Sequence, residues 1–388
     1  MLLKYFIPRV SWPLFRRGLR DQLHRLATRR RYQLMIFLLL VMSWLAMEVY
    51  HTMVVQGLPL AIVDHDNSKI SRTVKEYILA NREVRLVDVS FRTLAEAEGM
   101  LVSGELAGVV YIPADFSADI KKGRKGTVVV SVDMSNILIG KNLYKAVART
   151  LTTVSVGIQM TVVKKMGEQK NQAMARVLPI AVNEFSNFNP GANYGIYLIP
   201  GLLFFFLHVF ILILCVTLYL PPFRPATDAE LAGGLAANFL VSLVVGLLFF
   251  YVFLPYENLP PESPFYVVLV NLAVFLLLDI MLAAGMNQLI PLPMMAFEAT
   301  IVMGMLSLMI CGVTWPADTM PPLIALLGKI IPFTPFMVGS RMYMHYPIGL
   351  GEMGVVFRQF AGQAVFYAVV IAICVAVRRA VRRARAKG

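Results

Sequence analysis

The chain has 388 residues, of which 58% are hydrophobic and only 15% are charged. Because soluble proteins carry roughly a quarter charged residues, this composition indicates an integral membrane protein. The formal net charge of +13 is concentrated at the two ends beside apolar segments, where anionic lipid headgroups would meet it. These basic runs lack the interleaved aromatic residues of a nucleic-acid module, so we expect no nucleic acid among the partners.

Residues 1–32 form a basic segment in which leucines recur among the arginines. Leu14, Leu19, Leu23 and Leu26 have roughly the spacing of an amphipathic helix lying on the cytoplasmic membrane surface. A plain cluster of topogenic charges explains the segment equally well, and both interpretations stay open here.

Six apolar stretches are long enough to cross a hydrocarbon core of about 30 Å, which takes about 20 helical residues. They cover residues 33–53, 195–220, 235–254, 265–290, 295–313 and 355–377. The first is too long and too far from the N-terminus for a cleaved signal peptide. Between the fourth and fifth, Pro291-Leu292-Pro293 predicts a tight hairpin loop, because proline removes backbone donors.

The charges flanking these stretches predict the topology. Lys and Arg precede the first stretch and follow the last, at Lys4, Arg9, Arg16, Arg17, Arg20, Arg25, Arg29, Arg30, Arg31, Arg378, Arg379, Arg382, Arg383, Arg385 and Lys387. By the positive-inside rule both ends are cytoplasmic, which requires an even number of crossings. The resulting domains are a basic segment (1–32), a first transmembrane helix (33–54), an extracytoplasmic domain (55–192), helices two to six (193–377) and a basic cytoplasmic tail (378–388).

The extracytoplasmic segment alternates predicted strands and helices. Strands are predicted at 60–64, 84–87, 108–112 and 127–132, and a long helix from about 138 to 166 closes the pattern. Such alternation predicts a small α/β domain. The predicted fold class is therefore a polytopic α-helical membrane protein of about six transmembrane helices with an inserted α/β extracytoplasmic domain.

No arrangement of residues in this insert indicates catalysis. Asp64, His65 and Asp66 are adjacent and could form a metal or acid–base site, but an Asx-rich turn between strand and helix explains them without chemistry. Cys215, Cys311 and Cys374 lie far apart, outside the insert, so we expect neither a disulfide framework nor a metal cluster. We therefore predict no catalytic, cofactor-binding or metal site.

Polar residues inside the predicted spans are the candidates for a substrate path, because charges in lipid are costly. His208 lies in the second span, and Asn271 and Asp279 share one face of the fourth. The competing interpretation, which we favour, is a polar bond between helices. For three further residues an interfacial position or a polar bond is the simpler explanation: Glu48, His51 and Glu298.

Three segments resemble a known family. Residues 60–72 (LAIVDHDNSKISR) resemble a V-D-x-D-x-S-x-x-S-R motif, and residues 188–194 with 197–201 (FNPGANY, YLIPG) resemble the entry to a second helix. Residues 312–316, 320–321 and 331–335 (GVTWP, MP, IPFTP) with Arg341 resemble a re-entrant outer segment. In this order and spacing they resemble an ABC-2 type transporter permease, in the exporter branch with a large extracytoplasmic domain.

The resemblance implies several features. One is a re-entrant outer segment at about 315–350. The resemblance also implies that the chain pairs with a second permease copy or a paralogue and binds cytoplasmic ABC ATPase subunits. It further allows a periplasmic adaptor and an outer-membrane channel as partners. Neither Gly140-Lys141 nor Gly328-Lys329 has the flanks of a phosphate-binding loop. We therefore expect no cofactor in this chain, with ATP and Mg on the partner subunit.

The resemblance also implies an ATPase-coupling loop in the first cytoplasmic connection. Its candidate residues are Arg224, Thr227, Asp228, Glu230 and Leu231. Thr227 with Glu230 could cap a short coupling helix. The family's glutamate-rich stretch followed by Gly-Thr is mostly absent here, which suits an atypical half of a heterodimer or a divergent subfamily.

The function expected from these features is that of the transmembrane permease subunit of an ATP-driven exporter. It would move an amphiphilic substrate, such as a drug, lipid or glycolipid-like molecule, out of the cytoplasm or inner membrane of a bacterium. The alternative is a non-transport scaffold or receptor that binds an envelope partner through residues 55–192. A membrane-embedded enzyme would need clustered acid–base or metal ligands, whereas those in this sequence are scattered. A secondary transporter would need inverted repeats of broken helices, and the sequence shows no evident repeat of this kind.

Overall fold

The computed structural model describes residues 11–51, 56–87, 93–122, 124–165, 194–221, 224–290 and 292–385. Two compact units are present: Met1–His51 with Asn193–Gly388 form one, and Thr52–Ala192 form the other. The predicted combination of about six transmembrane helices with a small α/β region is confirmed.

The helices are numbered in chain order. They are α1 (Trp12–Thr28), α2 (Arg30–Tyr50), α3 (Lys69–Leu79), α4 (Leu94–Val102), α5 (Phe116–Lys121), α6 (Ile137–Lys165), α7 (Tyr194–Thr217), α8 (Asp228–Leu248), α9 (Phe265–Leu289), α10 (Pro293–Ile310), α11 (Pro322–Ile330), α12 (Phe333–His345) and α13 (Gly354–Arg385). A π-helical turn (Phe249–Phe253) and a short helical end (Leu254–Tyr256) continue α8.

The inserted unit is built on a four-stranded sheet with the order β2-β1-β3-β4. The strands are β1 (Leu58–Asp64), β2 (Val84–Leu86), β3 (Gly108–Ile112) and β4 (Val129–Val132). β1 pairs in parallel with β2 and β3, whereas β3 and β4 are antiparallel. Because parallel neighbours need a crossover connection, α3 and α4 each follow a strand of the parallel part of the sheet.

Helices cover both faces of this sheet. Successive residues of a strand point to opposite faces, so neighbours in β1 join different cores. Leu60 is buried in one cluster with Ile78 of α3 and Leu143 of α6. Ala61 is buried in a second cluster with Ala97 of α4. The inserted unit is thus a sheet between two helical layers.

The Asp64-His65-Asp66 motif forms the turn that leaves β1. Asp64 accepts hydrogen bonds from the backbone N of Asp66 at 3.0 Å and from Ser71 Oγ at 2.7 Å. Asp66 accepts from the backbone N and the Oγ of Ser117, at 3.1 and 2.8 Å. The His65 ring packs edge-on against a tyrosine of β3. Both carboxylates therefore hold the strand-to-helix turn, as the structural interpretation expects.

Among the described residues of the other unit, six helices are long and apolar enough to cross a membrane. They are Arg30–Tyr50, Gly195–Thr217, Asp228–Tyr256, Phe265–Leu289, Pro293–Ile310 and Gly354–Val377. The third begins at Asp228, seven residues before the apolar stretch predicted from 235, because Thr227 caps it and α1 covers its first turns. Of the hairpin predicted at 291–293, Pro291 lies outside the described residues.

A broken helix precedes the last span. α11 and α12 meet at an angle of 79°, and side chains of α13 hold the break. Gln363 Nε2 donates to the carbonyls of Lys329 and Ile331 at 2.9 and 3.0 Å, and the Tyr367 hydroxyl donates to the carbonyl of Ile330. Carbonyls that lose their helical partners in an apolar environment need such hydrogen bonds, so α13 stabilises the bend at this position.

Candidate functional site

The segment predicted to couple to an ATPase is the start of α8. Thr227 Oγ1 accepts from the backbone N of Glu230 at 3.2 Å, and Glu230 Oε2 accepts from the backbone N of Ala226 at 3.1 Å. This reciprocal pair closely follows a capping box. Thr227 therefore caps a helix as expected, but this helix is not short, because it runs without a break from Asp228 to Leu248.

The remaining coupling candidates surround this cap. Arg224 has an exposed side chain, and its backbone N donates to the carbonyl of Leu220 at 3.1 Å. Asp228 is exposed in the first turn of α8, where a negative charge favours the helix dipole. Leu231 is half-buried one turn further on. The segment thus offers exposed charges of both signs at a helix N-terminus.

α1 lies directly against this start of α8. A Cβ atom on Gly18 would overlap the backbone of Glu230, and one on Gly233 would overlap the backbone of Phe15. Glycine is therefore required at both positions for the two helices to approach so closely. Arg17 Nε lies 3.8 Å from Glu230 Oε1, with side chains that are 64% and 14% exposed. Because the arginine is mostly in solvent, this pair adds little energy, but it agrees with the packing.

A buried polar bond fixes the register between the two helices. Gln22 Nε2 donates to Asn238 Oδ1 at 3.0 Å, and both side chains are buried. Since an unpaired buried amide costs about 1–3 kcal/mol, a slip of α1 along α8 is disfavoured. No sequence pattern singled out this pair; the amide of Gln22 among leucines and arginines was the available signal.

His208 and Asp279, two of the substrate-path candidates, are in contact inside the helix bundle. His208 Nδ1 lies 2.9 Å from Asp279 Oδ2, and His208 Nε2 lies 3.0 Å from Ser307 Oγ. All three residues are fully buried, and they belong to α7, α9 and α10. The contact therefore joins three transmembrane helices through side chains.

The serine in this contact has a second hydrogen-bond partner. Ser307 Oγ donates to the carbonyl of Met303 at 2.9 Å, and its lone pairs remain able to accept from a protonated His208 Nε2. The ring of His208 also stacks on Phe333, with centroids 5.3 Å apart. Apolar walls thus enclose a compact ionisable pair.

Asn271, the third candidate, lies in a different contact. Its Nδ2 is 3.3 Å from the Tyr343 hydroxyl and 3.4 Å from the carbonyl of Phe336, both in α12. Among the hydrogen bonds of the described residues, none links Asn271 to His208 or Asp279. Although the sequence places both residues on one face of α9, Asp279 therefore contacts α7 and Asn271 contacts α12.

The interfacial candidates also differ among themselves. His51 Nδ1 lies 3.1 Å from Oε2 of Glu257, whose side chain is 1% exposed. This pair ties the end of α2 to the end of the third span. Glu298 is exposed on α10, and Glu48 is exposed on α2. The partnership of Glu257 was not predicted, because 206 residues separate the two side chains.

Two of the segments that carried the family resemblance meet in this unit. The Arg341 guanidinium lies 4.8 Å from the centre of the Tyr197 ring and donates to the carbonyl of Gly312 at 3.3 Å. The Tyr197 hydroxyl donates to the carbonyl of Val313 at 2.6 Å. Residues 188–193 of the second segment lie outside the described residues.

Replacing Gly18 with Leu should force α1 away from α8, because the added side chain has no space beside Glu230. Overpacking of this kind costs typically about 1–3 kcal/mol, so the purified protein should unfold at a lower temperature in detergent. The matched control is Gly362→Leu, at a helical position with nothing within 4 Å of an added Cβ. Equal unfolding temperatures for the two variants would contradict the close packing.

Replacing His208 with Leu should destabilise the bundle, because Asp279 is then left buried without its partner. Breaking a buried ion pair on one side costs about 3–5 kcal/mol, which unfolding in mixed micelles can measure. The double replacement of His208 and Asp279 by Leu should recover part of this loss. Thr300→Val is the control, since the hydroxyl of this buried residue donates to the carbonyl of Ala296 in its own helix. A loss as large as that of His208→Leu would argue against the interhelical role.

A comparison with known families identifies the architecture. A family model described as ABC-2 family transporter protein matches residues 30–220, from α2 through the inserted unit to the end of α7. No curated protein matches the chain. The matched region contains the first two of the six candidate spans and the insert between them. The chain therefore belongs to the ABC-2 transporter family, as a membrane-spanning permease subunit of the type that carries no ATPase domain.

Proposed function

We propose that the chain is the transmembrane half of an ATP-driven exporter that moves an amphiphilic substrate, a drug, lipid or glycolipid-like molecule, out of the cytoplasm or inner membrane. Permeases of the ABC-2 family generally pair with ATPase subunits and typically carry no cofactor. The family match is the observation that carries this proposal. ATP and Mg would then be held by the partner subunit.

The ATPase would bind at residues 224–231. This segment combines an exposed Arg224 with the capped N-terminus of α8. Because Gly18 lets α1 contact the backbone of Glu230, a push on this segment would move α1 and α8 together. ATP-driven closure would thereby reach the first and third spans at once, which suits alternating access between the two sides of the membrane.

A second permease copy or a paralogue would cover the exposed spans. Within the most apolar window of each helix, only 22% of α2, 22% of α10 and 17% of α13 is buried. Lipid covers such faces equally well in a monomer, so the family's pairing is what favours a dimer. We place both termini in the bacterial cytoplasm and residues 55–192 outside it, where a periplasmic adaptor and an outer-membrane channel would be reached.

A scaffold or receptor function is the second candidate. The observation that favours it is the coupling segment, which reads PPFRPATDAEL over residues 221–231 and lacks most of the glutamate-rich pattern of the family. Such a protein would use the inserted unit to bind an envelope partner. An ATPase recovered with the purified chain separates the two functions, because a scaffold would be isolated without one.

Reversing the charge of Arg224, as Arg224→Glu, should reduce recovery of the co-purifying ATPase about tenfold, because the exposed guanidinium would be replaced by a repelling carboxylate. Quantitative mass spectrometry of the affinity-purified complex measures the ratio of ATPase to permease. Lys69→Glu makes the same charge change at an exposed residue of the inserted unit and should leave the ratio unchanged. Unaltered recovery with Arg224→Glu would remove this segment from the interface.

His208, Asn271 and Asp279 remain the proposed polar positions of a substrate path, with a tether between helices as the simpler role for the first and third. Asp279→Asn keeps the volume and a hydrogen bond to His208 but removes the charge. If the pair is a tether, efflux of an amphiphilic fluorescent dye per copy of protein should stay within about twofold of the wild type. Loss of efflux at normal protein abundance would instead assign Asp279 to the path.

A further inference from the structure

One flank of α1 carries a mixture of basic and apolar side chains. The face packed on α8 contains Gly18 and Gln22. At about 100° per residue, Trp12, Arg16, Arg20 and Leu23 lie about 80° to 160° around the helix from these two residues and follow one another along its length. We call these four residues the basic flank.

The side chains of the basic flank are available to an external partner. Trp12 is 57% exposed and Leu23 is 37% exposed. The Arg16 guanidinium lies 5.1 Å from the centre of the Trp12 ring. Arg20 has an 82% exposed side chain and lies 3.8 Å from Asp21, at a distance and exposure where an ion pair holds neither side chain firmly.

The position of α1 favours a lipid surface as that partner. α1 ends at Thr28 and the membrane span α2 begins at Arg30, with only Arg29 between them. The C-terminal end of α1 therefore lies where the chain enters the membrane. Tryptophan prefers the headgroup level of a bilayer, and arginines next to a span attract anionic headgroups. A helix that carries both on one flank, with a leucine, matches an interfacial helix.

We propose that the basic flank binds the headgroups of anionic lipids, with Arg16 and Arg20 contacting phosphates and Trp12 and Leu23 entering the interface. This surface is separate from the start of α8 that the ATPase would use, and it goes beyond the proposed transport function. Because α1 contacts Glu230 and Gly233 through its backbone, bound lipid would also hold the coupling segment at a fixed depth.

The test uses the full chain in nanodiscs with Trp44→Phe and Trp315→Phe, which leaves Trp12 as the single tryptophan. Both replaced residues are more than half exposed, at 52% and 60%. Brominated lipids quench tryptophan on contact. At equal mole fraction, brominated phosphatidylglycerol should quench Trp12 at least twofold more than brominated phosphatidylcholine. Salt at about 1 M, which shortens the Debye length to about 3 Å, should reduce this preference.

The variant Arg16→Gln with Arg20→Gln should bring the quenching ratio to about one. The charge-matched control, Lys69→Gln with Lys75→Gln in α3 of the inserted unit, should retain the preference. Equal quenching by both lipids in the chain with its arginines, or a preference that survives their replacement, overturns the proposal.

An acidic protein surface is the other partner that arginines would fit. Protection of Trp12 from acrylamide only when the co-purified ATPase is bound, with no quenching by either brominated lipid, would assign the basic flank to that protein and overturn lipid binding. The nanodisc assay contains no ATPase and measures no transport. A negative result would therefore leave the proposed export function untouched, and a failure of export would leave the lipid result standing.

Discussion

The constraint on which this structure depends is the absence of water in a hydrocarbon core, where every backbone polar group must find a partner inside the protein. The clearest response is the break between α11 and α12. Three consecutive carbonyls lose their helical partners there, and the side chains of Gln363 and Tyr367 in α13 donate hydrogen bonds to them. The same constraint explains why His208, Asp279 and Ser307 are found together, since each would be costly alone.

A second principle organises the end of the unit at which α8 begins. There the helices are joined by backbone proximity rather than by large side chains, because Gly18 and Gly233 leave no space between α1 and α8. Glycine permits this close approach because it carries no Cβ atom. The buried Gln22–Asn238 bond then selects one register. The proposed coupling segment is thereby attached to two helices rather than one.

The sequence predicted the elements well where a single local signal defined them. β3 was predicted at its observed bounds, and Thr227 caps α8 as its spacing from Glu230 indicated. The third span was predicted too short because Gly233 and Gly234 lower the apolar character of its first turns; their purpose is visible only with α1 beside them. The partners of His208, His51 and Arg341 were likewise beyond prediction, since each is distant in sequence and chosen by tertiary packing.

Arg29 is the sole residue between α1 and α2, and it has an extended backbone with φ −85° and ψ 119°. One residue spans at most about 3.6 Å, so this linker is too short for α1 and α2 to move independently of each other. Any displacement of α1 beyond a few ångströms must tilt or rotate α2 as well. Motion of α1 is thus transmitted directly to α2, the first transmembrane helix, and the backbone conformation of Arg29 sets the angle between the two helices.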